Sequence, residues 1–181
     1  MDFQQSKPLG GRQESFVSGL LDEASIPNEA NLGQGLVRLS GWDIRCQLNG
    51  SDFTVEVKFD AMESRTGNVA VEYHNTDFDT PSGILATTST LWVVVLQQPQ
   101  TAWVCRVSDL KTHFLSEPCL RDIPHGGDGN ASLRLYRRKD LFEKLFHRLD
   151  DLPPWERRET FVNLLKENRV DNRTSKLANA V

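Results

Sequence analysis

The 181-residue sequence predicts an α/β protein, a mixed β-sheet flanked by helices with additional C-terminal helices. Three observations predict it. Residues 42–48 and 53–59 each alternate apolar and polar side chains, the period of a half-buried strand. Residues 91–96 are apolar throughout, the pattern of a strand buried on both faces. Residues 12–26, 138–150 and 153–169 carry apolar side chains at helical spacing.

In chain order, residues 1–11 read as a flexible arm, with Pro8, Gly10 and Gly11. The first helix follows, its stripe formed by Phe16, Val17, Leu20, Leu21 and Ala24, and Pro27 ends it. At about 100° per residue, Glu14 lies one turn before Val17 and two before Leu21, at the margin of that stripe. Asn49-Gly50-Ser51-Asp52 joins the two alternating segments as a hairpin turn. Residues 67–73 alternate again as a third strand, with Glu72 on its polar side. Thr80-Pro81-Ser82 opens a short helix through about Ser89, as an N-cap followed by proline. Residues 101–107 are the partner of the apolar strand, and a short helix opens at Ser108-Asp109-Leu110. Residues 125–130 form a glycine-rich loop before the two C-terminal helices, which Pro153-Pro154 separates. One domain is therefore expected over residues 12–170, with its core at about 12–107 and a helical part at about 131–170. Residues 171–181 form a polar tail.

A hydrophobic content of 38% against 25% charged residues fits a soluble folded domain rather than a disordered chain. No apolar run approaches membrane-spanning length, so no membrane is expected as a partner. The N-terminus lacks a basic region followed by an apolar stretch. Three widely spaced cysteines, Cys46, Cys105 and Cys119, suit a reduced, cytoplasmic protein. The net charge of −4 argues against coating nucleic acid by bulk positive charge. That charge is uneven: residues 1–129 hold 9 Lys/Arg against 17 Asp/Glu, and residues 130–181 hold 12 against 8.

The candidate chemistry sits on the hairpin. A four-residue turn would place Arg45 opposite Glu56 and Asp43 opposite Lys58. It would gather Asp43, Arg45, Glu56 and Lys58 on one face, with Trp42, Ile44, Cys46, Leu48, Phe53, Val55, Val57 and Phe59 on the other. Asp43 and Glu56 then become diagonal neighbours, with Cβ atoms roughly 7 Å apart or less. Two carboxylates so placed can share a hard cation such as Mg²⁺, which takes oxygen ligands and keeps several waters. Lys58 beside them can orient or deprotonate an attacking water, or offset charge developing on a phosphate.

Asp43, followed by Glu56-Val57-Lys58 on the next strand, resembles the signature of the PD-(D/E)XK nuclease superfamily, and the resemblance spans roughly residues 12–107. It implies a restriction-endonuclease-like mixed sheet flanked by helices and Mg²⁺- or Mn²⁺-dependent hydrolysis of phosphodiester bonds. It further implies a DNA substrate, with Asp43, Glu56 and Lys58 catalytic. Glu14 is similar to the additional glutamate that resolvase-like and exonuclease-like members carry on the first helix, which would make it a third metal ligand. Residues 67–73, Pro81-Ser82-Gly83-Ile84 and Leu91-Trp92-Val93 are similar to small phage-type members. Many members pair two sites across a twofold axis, so a homodimer is a candidate assembly, with the basic C-terminal helices as its interface. The motif's proline is absent, since Gly41-Trp42 precedes Asp43.

Glu72 is a possible additional ligand and equally a solvent-facing glutamate. Ser82 and Thr87 offer hydroxyls that suit phosphate oxygens, although capping explains Ser82 as well. Arg134, Arg137, Arg138 and Lys139 form one basic cluster and Arg157-Arg158 another, and either could meet a DNA backbone. Gly126-Gly127-Asp128-Gly129 lacks the ending of a phosphate-cradling P-loop, no cysteine pair has zinc spacing, and no Gly-x-Ser-x-Gly elbow occurs. The leading expectation is a DNA endonuclease, with branched or otherwise structured DNA among its candidate substrates. The alternatives are a non-catalytic nucleic-acid-binding or assembly module on the same fold, and a domain whose Glu-x-Lys is merely exposed.

Overall fold

In a computed structural model the protein is described over residues 3–31, 41–126 and 129–178, with side chains over 11–31, 41–126 and 129–166. The first helix, α1 (Phe3–Glu23), buries Val17, Leu20, Leu21 and Ala24, the stripe that the sequence predicts. Its backbone is already helical from Phe3, so residues 3–11 are helix rather than an irregular arm. Pro8 removes one hydrogen bond of the ladder, but extending a helix costs far less than nucleating one. At the other end Ser25 takes a left-handed φ of 54°. The amides of Ser25 and Ile26 close back onto Asp22 O and Leu21 O at 2.9 Å each, a Schellman turn that stops the helix before Pro27.

Six strands form the main sheet. They are β1 (Asn28–Ala30), β2 (Ile44–Leu48), β3 (Ser51–Asp60), β6 (Leu91–Leu96), β7 (Thr101–Arg106) and β10 (His147–Arg148), in the order β1-β2-β3-β6-β7-β10. Only the β3–β6 pair is parallel, so the sheet is mixed, as expected. The β2–β3 register differs from the expected one by two residues: Arg45 pairs with Thr54 and Ile44 with Val55. The turn has two residues rather than four. Asn49 and Gly50 both take positive φ, 52° and 72°, which matches the right-handed twist of the flanking strands. An even slip keeps every side chain on its face. Ile44, Cys46, Leu48, Phe53 and Val55 are therefore all buried, with Val57 and Phe59 packed against the same core.

Residues 67–73, the third strand expected from the sequence, begin a second sheet. β4 (Asn68–Asn75) lies between β5 (Thr80–Pro81) and β9 (Ala131–Arg137), and β8 (Arg121–Gly126) completes the antiparallel order β5-β4-β9-β8. The cause lies at the end of β3, where the carboxylate of Asp60 organises the turn. Its Oδ1 accepts the amides of Met62 and Glu63 at 2.9 Å each, capping α2 (Glu63–Thr66), and its Oδ2 accepts Ala70 N at 3.1 Å. Ala131–Arg137, the opening of the part expected to be helical at about 131–170, is instead a sheet strand, and among the described residues the helices beyond it are α5 (Arg138–Leu145) and α6 (Pro154–Ala178). Most of the expected polar tail, residues 171–178, belongs to α6.

Two cores result. One face of the main sheet packs on α1 and on Phe161 and Leu164 of α6. The other face, with Trp92, Val94, Leu96 and Cys105, packs on Val69, Val71 and Tyr136 of the second sheet and on the helices α3 (Gly83–Ala86), α4 (Val107–Ser116) and α5. Cys46 and Cys105 are buried and Cys119 is half-buried, all three free. No helix among the described residues is long and apolar enough to cross a membrane.

Candidate active site

Asp43 stands one residue before β2 and extends its ladder, donating its amide to Val55 O at 3.0 Å. Beyond that rung the strands part, and the side chain takes over: Asp43 Oδ2 accepts the amide of Val57 at 2.7 Å. The observed register therefore places Asp43 opposite Glu56 rather than opposite Lys58. Gly41 sets the approach to this point. Its φ is 64°, and a Cβ there would lie 3.2 Å from Thr88 Oγ1. Ser89 Oγ holds Gly41 O at 3.4 Å.

Glu56 and Lys58 project from β3 on the polar face. Lys58 Nζ lies 2.7 Å from Glu56 Oε1, and Thr87 Oγ1 donates to Glu56 Oε2 at 3.3 Å. Lys58 Nζ also lies 5.5 Å above the ring of Trp92, which pairs with Glu56 from the parallel strand β6. Exposure rises outward through the group, from Asp43 at 3% to the side chains of Glu56 at 14% and Lys58 at 34%. Burial pulls the Lys58 pKa down, but the carboxylates of Glu56, Glu72 and Asp43 outweigh it and hold the ammonium above its ordinary value. The charge of Glu72 thus reaches Lys58 from β4. A bulge between Glu72 and His74 breaks the β4–β9 ladder just beyond it. Gly83 of α3 packs where a side chain would meet the Glu72 backbone.

Asp43, Glu56, Lys58, Glu72 and Thr87 therefore come together. Glu14 is buried, 3% exposed, on α1, the helix that covers the opposite face of the sheet. Ser82 is the N-cap residue of α3, but its side chain makes no capping bond. Its amide donates to Tyr73 O at 3.0 Å, one residue from Glu72. Among the described residues, no group of three or more His, Cys, Asp or Glu side chains is placed to hold a metal ion.

The two basic clusters differ in exposure, residue by residue. Arg134 lies 4.2 Å over the ring of Phe114 and donates to Phe114 O at 2.6 Å. Arg138 pairs with the buried Glu63 at 3.1 Å, and Arg157 is 3% exposed. Arg137, Arg138 and Lys139 are all exposed. Lys111, which sequence reasoning did not single out, donates to Thr87 O at 2.9 Å and so joins the neighbourhood of Glu56. Its position four residues into α4 gives no sequence signal for that contact.

No family model and no curated protein matches the sequence. The fold is similar to the solved structure of a bacterial homing endonuclease, I-Ssp6803I, with a TM-score of 0.50. The likeness covers 95% of this chain and 99% of that one at 14% identity. The mixed sheet flanked by helices is thus an endonuclease-like fold.

Proposed function

We propose that this chain is a metal-dependent DNA endonuclease of the PD-(D/E)XK type. The observation that carries the reading is the convergence of Asp43, Glu56 and Lys58 at the point where β2 and β3 part, on an endonuclease-like sheet. A binding surface gains nothing from carboxylates placed where phosphates must lie. Asp43 and Glu56 would hold Mg²⁺ or Mn²⁺, and two oxygen donors suit an ion that keeps several waters. When bound, such an ion supplies an activated water and stabilises charge on the phosphate.

The chain's own residues divide the remaining work. Val57 N–H fixes one oxygen of Asp43 in direction. Thr87 fixes one oxygen of Glu56. Lys58, kept protonated by its carboxylate neighbours, is suited to orient water and to offset charge on the phosphate oxygens. Glu72 deepens the negative potential that holds the ammonium in place.

One observation favours a second reading, a non-catalytic nucleic-acid-binding module. The Lys58–Glu56 pair satisfies both groups by itself. Calorimetry with Mg²⁺ and Mn²⁺ separates the two, together with digests of supercoiled, linear, single-stranded and four-way-junction DNA with metal and with chelator. Metal binding with metal-dependent cutting supports the endonuclease, and preferred cutting of the junction would define it as structure-specific. Cutting that persists in chelator, or no metal binding and no cutting, sinks it. A homodimer that pairs two sites belongs to the same proposal, and sedimentation of a monomer at micromolar concentration with and without DNA would refute it.

A further inference from the structure

A cavity of about 500 Å³ adjoins the candidate site at the N-terminal ends of β3 and β6. One wall is the run Thr87, Thr88, Ser89 and Thr90, and another is formed by Ser108 and Lys111 of α4. This loop is fixed. Thr87 Oγ1 receives Ser89 N at 3.2 Å while donating to Glu56, and Thr54 N and Thr90 N donate to each other's side-chain oxygens at 3.4 and 3.3 Å. Lys111 Nζ spends one donor on Thr87 O, and among the described residues no carboxylate lies within ion-pairing distance of it. The acidic group on the rim, Asp52, is already paired with Arg45 at 2.7 Å. The cavity thus offers an ammonium with no carboxylate partner and the hydroxyls of Thr88 and Thr90, those of Thr87, Ser89 and Ser108 already donating to Glu56, Gly41 O and Asp109, in a chain of net charge −4. A lysine acting as a point charge, supported by hydroxyls, is a common way to hold a phosphate.

We propose that this cavity is a second phosphate subsite, which takes the phosphodiester next to the one cut at Asp43, Glu56 and Lys58, with Lys111 as its cation. The inference rests on the endonuclease reading. Thr87 couples the two places: its hydroxyl holds Glu56 and its carbonyl holds Lys111, so a phosphate seated on Lys111 sets the strand's position relative to the carboxylates. Lys111 is therefore a binding and positioning residue rather than a catalytic one.

The test uses the whole chain with Lys111→Met, Lys111→Gln and Lys111→Arg. DNA affinity is measured in Ca²⁺ across a salt series, and KM and kcat are measured with Mg²⁺. Loss of one phosphate contact should reduce the slope of log affinity against log salt by about 0.9 in Lys111→Met and Lys111→Gln. KM should rise about tenfold with kcat nearly unchanged, and Lys111→Arg should retain the wild-type slope. Independently of cleavage, inorganic phosphate should shift the amide resonances of Thr87, Thr88, Ser89 and Thr90 in the wild type and not in Lys111→Met. An unchanged salt slope and KM in both neutral variants overturns the subsite and leaves the endonuclease standing. If the wild type cuts no DNA with any metal, the endonuclease reading fails, and the phosphate titration then decides the cavity: no shifts at those amides overturn it.

Discussion

In the proposed mechanism Asp43 and Glu56 act through carboxylate oxygens that hydrogen bonds from Val57 N and Thr87 Oγ1 aim, so shortening either side chain removes a group that no neighbour replaces. Asp43→Ala and Glu56→Ala should each reduce cleavage at least a thousandfold, the scale typical of losing a preorganised charge-stabilising group. DNA affinity in Ca²⁺ should hold or rise, because each change deletes a negative charge beside the phosphate. Full activity in Asp43→Ala would show that the centre lies elsewhere. Lys58 gives a test that needs no substrate. Burial lowers its pKa and Glu56 is the chief influence raising it, so Glu56→Gln should move it downward. Because the folded pKa lies above the ordinary 10.5, the pair's stabilising contribution is complete at neutral pH and fades as pH rises through the folded value. Heteronuclear NMR of the Lys58 side chain follows both effects, and an identical titration in wild type and Glu56→Gln would contradict them. The three site residues were legible because a carboxylate and a lysine two apart on an alternating strand share a face. Lys111 was not, since its partner is a backbone carbonyl 24 residues away in sequence.

At the scale of elements, the sequence pattern set faces better than it set partners. The alternation in β2 and β3 determines which side chains are buried whatever even register the turn selects, so a two-residue error in register left the polar group intact. The second sheet escaped notice for a different reason. β8 is polar and contains Pro124, and the alternation of β9 leaves Leu133 and Leu135 half-buried, so neither carries the signal of a core strand. Partnering there depends on the Asp60 carboxylate turning the chain out of the main sheet. The junction of α3 with β4 supplies the prediction at this scale. Gly83 has a φ of 48°, and a Cβ there would run into the carbonyl of Glu72. Gly67, at a φ of 67°, has nothing within 4 Å of such an atom. Gly67→Ala should therefore cost only the left-handed backbone penalty, about 1–2 kcal/mol. Gly83→Ala should cost more, because the backbone beside Glu72 must also move, and cleavage should fall with it. Denaturant unfolding measures both, and equal losses would mean that α3 does not hold β4 in place.

For the whole molecule, the C-terminal positive charge divides: Arg137, Arg138, Lys139 and Lys144 are exposed, while Arg157 works inside the fold. Its guanidinium donates to Leu149 O at 3.0 Å, Leu152 O at 3.0 Å and Leu20 O at 3.1 Å, and to Glu23 Oε2 at 2.7 Å. One buried side chain thus joins α6, the turn before it and the end of α1, closing the layer beneath the main sheet on the face opposite the candidate site. The planar fork serves several acceptors at once, which an ammonium cannot reproduce. Glu23 is largely exposed and returns to water when its partner is lost, so the cost falls on the three carbonyls. At roughly 1 kcal/mol for each buried acceptor left unmade, Arg157→Met should lose about 3 kcal/mol of stability. Arg157→Lys should recover only part of it. Because the clamp lies across the sheet from Asp43 and Glu56, cleavage per folded molecule should stay near wild type at temperatures where the variant remains folded. The discriminating comparison is the salt slope of DNA affinity: a DNA-contacting arginine would reduce it by about 0.9 on replacement, and a buried clamp leaves it unchanged. A reduced slope with undiminished stability would mean that Arg157 faces the nucleic acid after all.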